Sequence, residues 1–509
     1  MWFRRYSNAG TFGQNDSSKA RCSVGANWVG QLRGANINES EIMIRVSCNV
    51  QLTNICRASF LFALLLFVAI APVAAQQATT VQLPTFGISV DAEGVVSRIT
   101  VAAENGLLRA QRIRAAQAAL PRELGKATEL RKISLARLER ALQQRVNGGQ
   151  EPTETMQHLA GLLRIQYVFV YPNDIVLAGP AEGWFVDPVG RPIGITSGRP
   201  VIELRDLAVA LRAFSPNSRV RPFIGCTIDP TREGLEKLQQ FQKSIPRSIP
   251  QNSRQQAAQQ IGEGIQKALG NANVRVFGIS PDTHFAQVMI EADYRMKLIG
   301  IGLEPPPVRM ATFMGSLRSA NEATLQRWWF TPNYECLSVA PDGLAIELIG
   351  QGVQLQGEDK AVLPGGTLSM QPLPASKPSQ LYTTAFTAKY PEIAAASPVY
   401  AQLRNLIDSL VIAAAMRELD LYGKSGWQPS WLLEEKKLPT QTEKNPRHVP
   451  AAVNVEWKGN RLLAPAGGGI SIVPHQALEK ANLQPVDAKL NSTRKQTSSP
   501  ADAETWWWD

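Results

Sequence analysis

Cysteine and histidine are scarce in this chain, five and four among 509 residues. That scarcity excludes a disulfide-stapled scaffold and a dense metal centre. Neither GxSxG nor HExxH occurs, so nucleophile-elbow hydrolases and zincin metalloproteases are not indicated. No fixed-period repeat marks a solenoid or a propeller. Charge is modest as well: 19% of residues are charged and 44% hydrophobic, with 38 Gly and 34 Pro. These fractions exclude a collagen-like, coiled-coil or wholly disordered chain. A folded protein of two or three domains remains.

What is present begins with a targeting pattern. Arg57 precedes an apolar run from Ala58 to Ala71 broken only by Ser59, and Val73 and Ala75 are small residues ahead of Gln76. A basic flank, a short apolar stretch and small residues at −3 and −1 make a secretory signal with cleavage after Ala75. The run falls short of the roughly 20 residues that span a bilayer. Residues 1–42 are polar and aperiodic, which predicts a disordered extension and a translation start at Met43. Seven basic and three acidic residues lie in 1–75, so +6 of the total +10 stays with the mature chain.

Periodicity predicts an α+β protein of several modules, in which short antiparallel hairpins and sheets pack with amphipathic helices. The expected organisation is a signal at 43–75, an N-terminal α+β module with basic helices at 76–183, and a central α+β module at 184–356. A linker (357–380), a helical segment (381–433), a second linker (434–450), a small β piece (451–480) and a disordered tail (481–509) follow. Gly87–Val90 and Val95–Val96 read as a hairpin. Ser134 caps a helix along Leu135, Leu138, Leu142 and Val146, and Thr153 caps another. Asp229 is expected to cap a helix with Pro230 at its first position. Val274–Ile279 and Phe285–Ile290 read as strands about the Pro281-Asp282 turn, and Arg327–Val339 pairs with Leu344–Leu355 across Pro341-Asp342-Gly343. Ser397-Pro398 opens a long apolar helix.

The stretches SPDTHFAQVMIEADYRMKLIGIGLE (280–304), RWWFTPNYECLSVAPDGLAIELIGQGV (327–353) and SPVYAQLRNLIDSLVIAAAM (397–416) resemble an uncharacterised family of secreted planctomycete proteins, a domain family of unknown function. The resemblance implies export and one folded module across 184–420. It implies no catalytic residue.

Candidate sites follow from residue type. Asp282, His284, Glu291, Asp293, Arg295 and Lys297 are the densest polar cluster, with His284 as a general base or metal ligand oriented by Asp282 or Glu291. Glu291–Arg295 and Asp293–Lys297 stand in i,i+4 order, which equally suits ion pairing on a helix. Ten basic and three acidic residues lie in 105–147. Arg109, Arg112 and Arg114 head that segment, which suits an anionic envelope polymer or a lipid surface. Nucleic acid is not expected, since aromatic interleaving is absent there. Trp328 and Trp329 point to opposite faces of a strand, so one enters the core and the other is available for binding. Gly423-Lys424-Ser425 lacks the first glycine of a phosphate-binding loop. No metal and no cofactor are expected. Cys226 and Cys336 are either buried thiols or a disulfide. The sequence favours an exported, non-catalytic binding or structural protein of the cell envelope; the alternative is an exported hydrolase using Asp282, His284 and Glu291.

Overall fold

Helix starts follow the side-chain caps. Ser134 and Thr153 accept hydrogen bonds from the backbone N–H groups of Arg137 at 3.1 Å and Met156 at 3.3 Å, as their spacing predicts. The computed structural model describes residues 85–90, 95–101, 106–246, 249–317, 324–363, 365, 367–455, 466–497 and 505–509. The extension at 1–42, the start at Met43 and the signal at 43–75 lie outside the described residues.

Along the chain, β1 (Thr85–Val90) and β2 (Val96–Val101) pair as the expected antiparallel hairpin. Next come α1 (Gly106–Ala119), β3 (Thr128–Ser134), α2 (Leu135–Asn147), β4 (Tyr167–Tyr171), β5 (Asp174–Ala181), β6 (Trp184–Val186) and β7 (Pro192–Gly194). The central part supplies α3 (Leu204–Ala213), β8 (Ile224–Asp229), α4 (Arg232–Ser244), α5 (Arg254–Leu269), β9 (Asn271–Phe277) and α6 (His284–Gly300). Then follow β10 (Thr324–Pro332), β11 (Leu337–Val339), β12 (Ala345–Leu348), β13 (Val353–Leu363), β14 (Thr367–Leu368) and β15 (Leu373–Pro374). The last part holds α7 (Lys377–Ala388), α8 (Tyr390–Ala396), α9 (Pro398–Glu418), β16 (His448–Pro450), β17 (Ala466–Ile472), α10 (Lys489–Gln496) and β18 (Trp507–Trp508).

The α+β class holds. An antiparallel sheet runs β11-β12-β4-β5-β3-β18, and a mixed sheet runs β14-β13-β10-β17-β8-β9-β16 with β15 beside β13. In the mixed sheet, β10 and β17 are parallel. Both sheets draw on segments expected to be separate: β4 pairs with β12 across the boundary at 183/184, and β17, expected in a small β piece, lies between β10 and β8. Residues 81–509 accordingly form one unit. The Pro341-Asp342-Gly343 hairpin forms between β11 and β12, but β10 and β13, expected to extend it, pair in the other sheet.

Four local expectations need correction. Phe285–Ile290 is helical: Thr283 caps α6 by accepting from Ala286 N at 3.2 Å, and the helix has no face turned to water, its charged residues included. The cap of α4 is Thr231, not Asp229; its hydroxyl accepts from Gly234 N at 2.9 Å. The segment expected as a linker at 357–380 contains the end of β13, β14, β15 and the start of α7. The tail expected to be disordered forms α10, and Trp506–Asp509 docks on the edge of β3.

The core lies where α6 and α9 pack together. All residues of α6 except Gln287 are buried, as are Val399–Met416 of α9. Trp328 is fully buried, donates from Nε1 to Ser379 Oγ at 2.7 Å, and lies edge-on to Phe313 and Tyr382. Gly300 lets α6 approach that ring, since a Cβ there would stand 2.5 Å from Trp328 Cζ3. Gly468, at φ +134°, admits the Trp328 carbonyl, which a Cβ would meet at 1.7 Å. The triple glycine thus serves strand packing. Among the described residues, no helix is long and apolar enough to cross a membrane.

Candidate functional site

The first turn of α6 meets the first turn of α3. Glu203 occupies the N-cap position of α3, and Asp206, three residues on, shares its face. His284 is the first residue of α6. Its Nδ1 lies 2.9 Å from Asp206 Oδ2 and 3.1 Å from Oδ1, and its Nε2 lies 3.6 Å from Glu203 Oε1. Arg205 spans Glu203 Oε2 at 2.8 Å and Glu443 Oε1 at 2.7 Å. Glu203, Asp206 and His284 are buried, and each offers a ligand atom within 4.8 Å of the others.

Burial alone would lower the His284 pKa, but the Asp206 and Glu203 carboxylates outweigh it and hold the imidazole above its ordinary value. Nearby His158 behaves oppositely: burial drives it down to about 4, so it is neutral at pH 7. For His284 the folded value exceeds the unfolded one, so the folded state binds the extra proton. Its stabilisation is complete below about pH 6.5 and fades as pH rises through the raised value. Thermal unfolding of the wild type should therefore lose stability between pH 6.5 and the alkaline side. His284→Gln should remove that slope, and an unchanged slope would contradict the assignment.

The residues grouped by sequence separate in space. Asp282 is half-buried and pairs with Arg447 at 2.8 Å. Glu291 pairs with Arg191, and accepts from Arg295 at 3.2 Å. Arg295 also donates to Glu304, from Nε at 3.0 Å and Nη2 at 2.9 Å. The two i,i+4 pairs form as their spacing predicts, but in the interior: Lys297 Nζ donates to Asp293 Oδ2 at 2.6 Å and to the Ile228 carbonyl at 3.2 Å. Burial pushes Asp293 up to about 6 against the pull of Lys297. Asp282, His284 and Glu291 thus face different partners and do not form a triad. His284 does have a carboxylate partner, but it is Asp206, 78 residues away in sequence, and that separation hides it from any local pattern.

Cys226 and Cys336 are buried free thiols. Burial raises both, Cys336 to about 12, which leaves them unreactive at neutral pH. Trp328 cannot serve as a binding platform because it is core; Trp329 on the opposite face is half-buried. The basic segment divides. Arg112 and Arg114 are exposed on α1, and Arg109 lies 6.0 Å over the Phe185 ring. Arg131 is fully buried, its guanidinium bound to both carboxylate oxygens of Asp509. No residue of α1 is buried.

A family model described as "Protein of unknown function (DUF1598)" matches residues 226–313. No curated protein and no solved structure matches the chain. The matched stretch runs from within β8 past the end of α6, so it includes His284 and the buried ion pairs of α6 but neither Glu203 nor Asp206.

Proposed function

We infer that this is an exported protein of the cell envelope that acts without catalysis, as a module seated on an anionic lipid surface. The observation that carries the reading is α1. A 14-residue helix with no buried residue gains little from the rest of the fold, and a helix of that length is marginal in water on its own. It carries Arg109, Arg112 and Arg114 with no acid among its residues, and it exposes Leu107 and Leu108 at 72% and 53%. The helix does not sort its residues into a polar and an apolar face, so the attraction is chiefly that of Arg109, Arg112 and Arg114 for anionic headgroups, with the exposed Leu107 and Leu108 at its start placed to enter the headgroup layer. Apolar exposure favours a lipid surface over an anionic polymer, for which charge alone would suffice. The absence of convergence among Asp282, His284 and Glu291 favours a scaffold over a hydrolase. Export is supported by the Arg57–Ala75 pattern and by the resemblance to secreted planctomycete proteins; a secreted product beginning at Gln76 is the expected result of N-terminal sequencing.

Cosedimentation with vesicles tests the surface. Binding is expected to phosphatidylglycerol vesicles and not to phosphatidylcholine ones, and to weaken steeply between low and moderate salt. Each basic residue near an anionic surface contributes about 1 kcal/mol, so R109Q/R112Q/R114Q should bind roughly 100-fold more weakly. Equal binding to neutral vesicles, or a soluble polyanion that binds while vesicles do not, would overturn the lipid assignment.

A further inference from the structure

The geometry points to a divalent d-block cation site, of the kind that takes Zn²⁺, between His284 Nε2 and Glu203 Oε1, with Asp206 as the positioning residue behind the imidazole. Both Asp206 oxygens lie within hydrogen-bond reach of Nδ1. A proton on Nδ1 donated to that carboxylate turns the Nε2 lone pair toward Glu203. A carboxylate behind the distal nitrogen is the usual support of a metal-bound histidine, because it fixes the tautomer and raises ligand basicity.

The second observation is Glu203 itself. Its side chain is 9% exposed, and Oε1 is buried without a hydrogen bond, whereas Oε2 is held by Arg205. A buried carboxylate oxygen with no donor is costly. The 3.6 Å from Oε1 to Nε2 exceeds the 3.2 Å limit of an ordinary N–H···O bond, so a proton on Nε2 bridges the two atoms poorly. A cation about 2 Å from each atom, the usual Zn–N and Zn–O length, spans that gap at an angle of roughly 120°. Charge agrees: Arg205 pairs with Glu203 and Glu443, and Asp206 with His284; a cation displaces the second proton of the imidazole, and a dication then offsets the two negative charges left over. Arg205 and Glu443, at 34% and 27% side-chain exposure, roof the site, and water can complete the coordination from that side.

Calorimetric titration of the full chain with Zn²⁺ alone, after chelator treatment, tests the site. One equivalent is expected to bind and to raise the melting temperature. Glu203→Gln should weaken that binding by 10- to 100-fold, and Asp206→Asn by about 10-fold; His284→Gln should abolish it. Glu203→Gln decides if His284→Gln does not fold, since the amide retains an oxygen for Arg205. Absence of a bound equivalent in the wild type, or wild-type affinity in folded Glu203→Gln, would overturn the site.

Discussion

Replacing Asp509 by alanine will destabilise the fold by about 2 kcal/mol, less than for a fully buried ion pair because Arg131 is buried but the Asp509 side chain is 35% exposed. Arg131 is completely buried. Its Nε donates to Asp509 Oδ1 at 2.7 Å and its Nη2 to Oδ2 at 2.8 Å, while Nη1 donates to the Ala160 carbonyl at 2.6 Å. This two-bond arrangement is the strongest geometry open to a guanidinium. Trp507 covers it, its ring 5.0 Å from the guanidinium carbon. Trp507 and Trp508 pair with Ile133 and Lys132 of β3, and Ser134 N donates to the Trp506 carbonyl at 2.9 Å. Without the Asp509 carboxylate, a positive charge stays inside with only carbonyl partners. Urea denaturation followed by tryptophan fluorescence will show the loss, and Asp509→Asn should fall between wild type and alanine. A change below about 0.5 kcal/mol, the value of an exposed pair, would mean that the Asp509 carboxylate adds no more than a surface ion pair does.

Replacing Lys297 by methionine should cost about 4 kcal/mol at neutral pH, because the buried Asp293 then has no cation beside it and must either stay charged alone or take up a proton. The two side chains are 2% and 0% exposed, so water cannot stand in for the lost ammonium. The defect should depend on pH. Asp293 already has a folded pKa near 6, above its unfolded value, so the stability linked to its proton is full at low pH and is lost as pH rises through that value. Without Lys297 the folded value moves further up, and the variant should regain stability on acidification over a range where the wild type is flat. Asp293→Leu/Lys297→Met, which removes both charges, should return close to wild type. Urea denaturation at pH 5 and pH 8 separates these outcomes; a Lys297→Met loss independent of pH would argue for packing rather than charge.

Sequence pattern reveals those elements that present one face to water. Ser134 and the Leu135, Leu138, Leu142 stripe mark α2 because its opposite face is solvated; α9, buried all along Val399–Met416, is visible instead from Ser397-Pro398 and its length. The start of α6 is hidden for the converse reason: Phe285, Val288, Met289 and Ile290 are all buried, so no polar face sets a 3.6-residue period and the run resembles a strand. The i,i+4 pairs of α6 are legible because they are local. Asp206 beside His284, Asp509 on Arg131, and Glu443 on Arg205 join residues 78, 378 and 238 positions apart, and only tertiary packing brings them together. Glu203 and Asp206 did leave one trace, an i,i+3 acidic pair at a helix start, but helix dipoles favour acids there in any protein.

Hydrogen exchange of the full chain, with and without phosphatidylglycerol vesicles, tests the central claim most directly. The account predicts fast exchange along Gly106–Ala119 in the free protein, since no residue of that helix is fully buried, and marked protection of the same amides on vesicle binding, with α6 unchanged. Protection that appears at the α3–α6 junction while Gly106–Ala119 stays fast would contradict it.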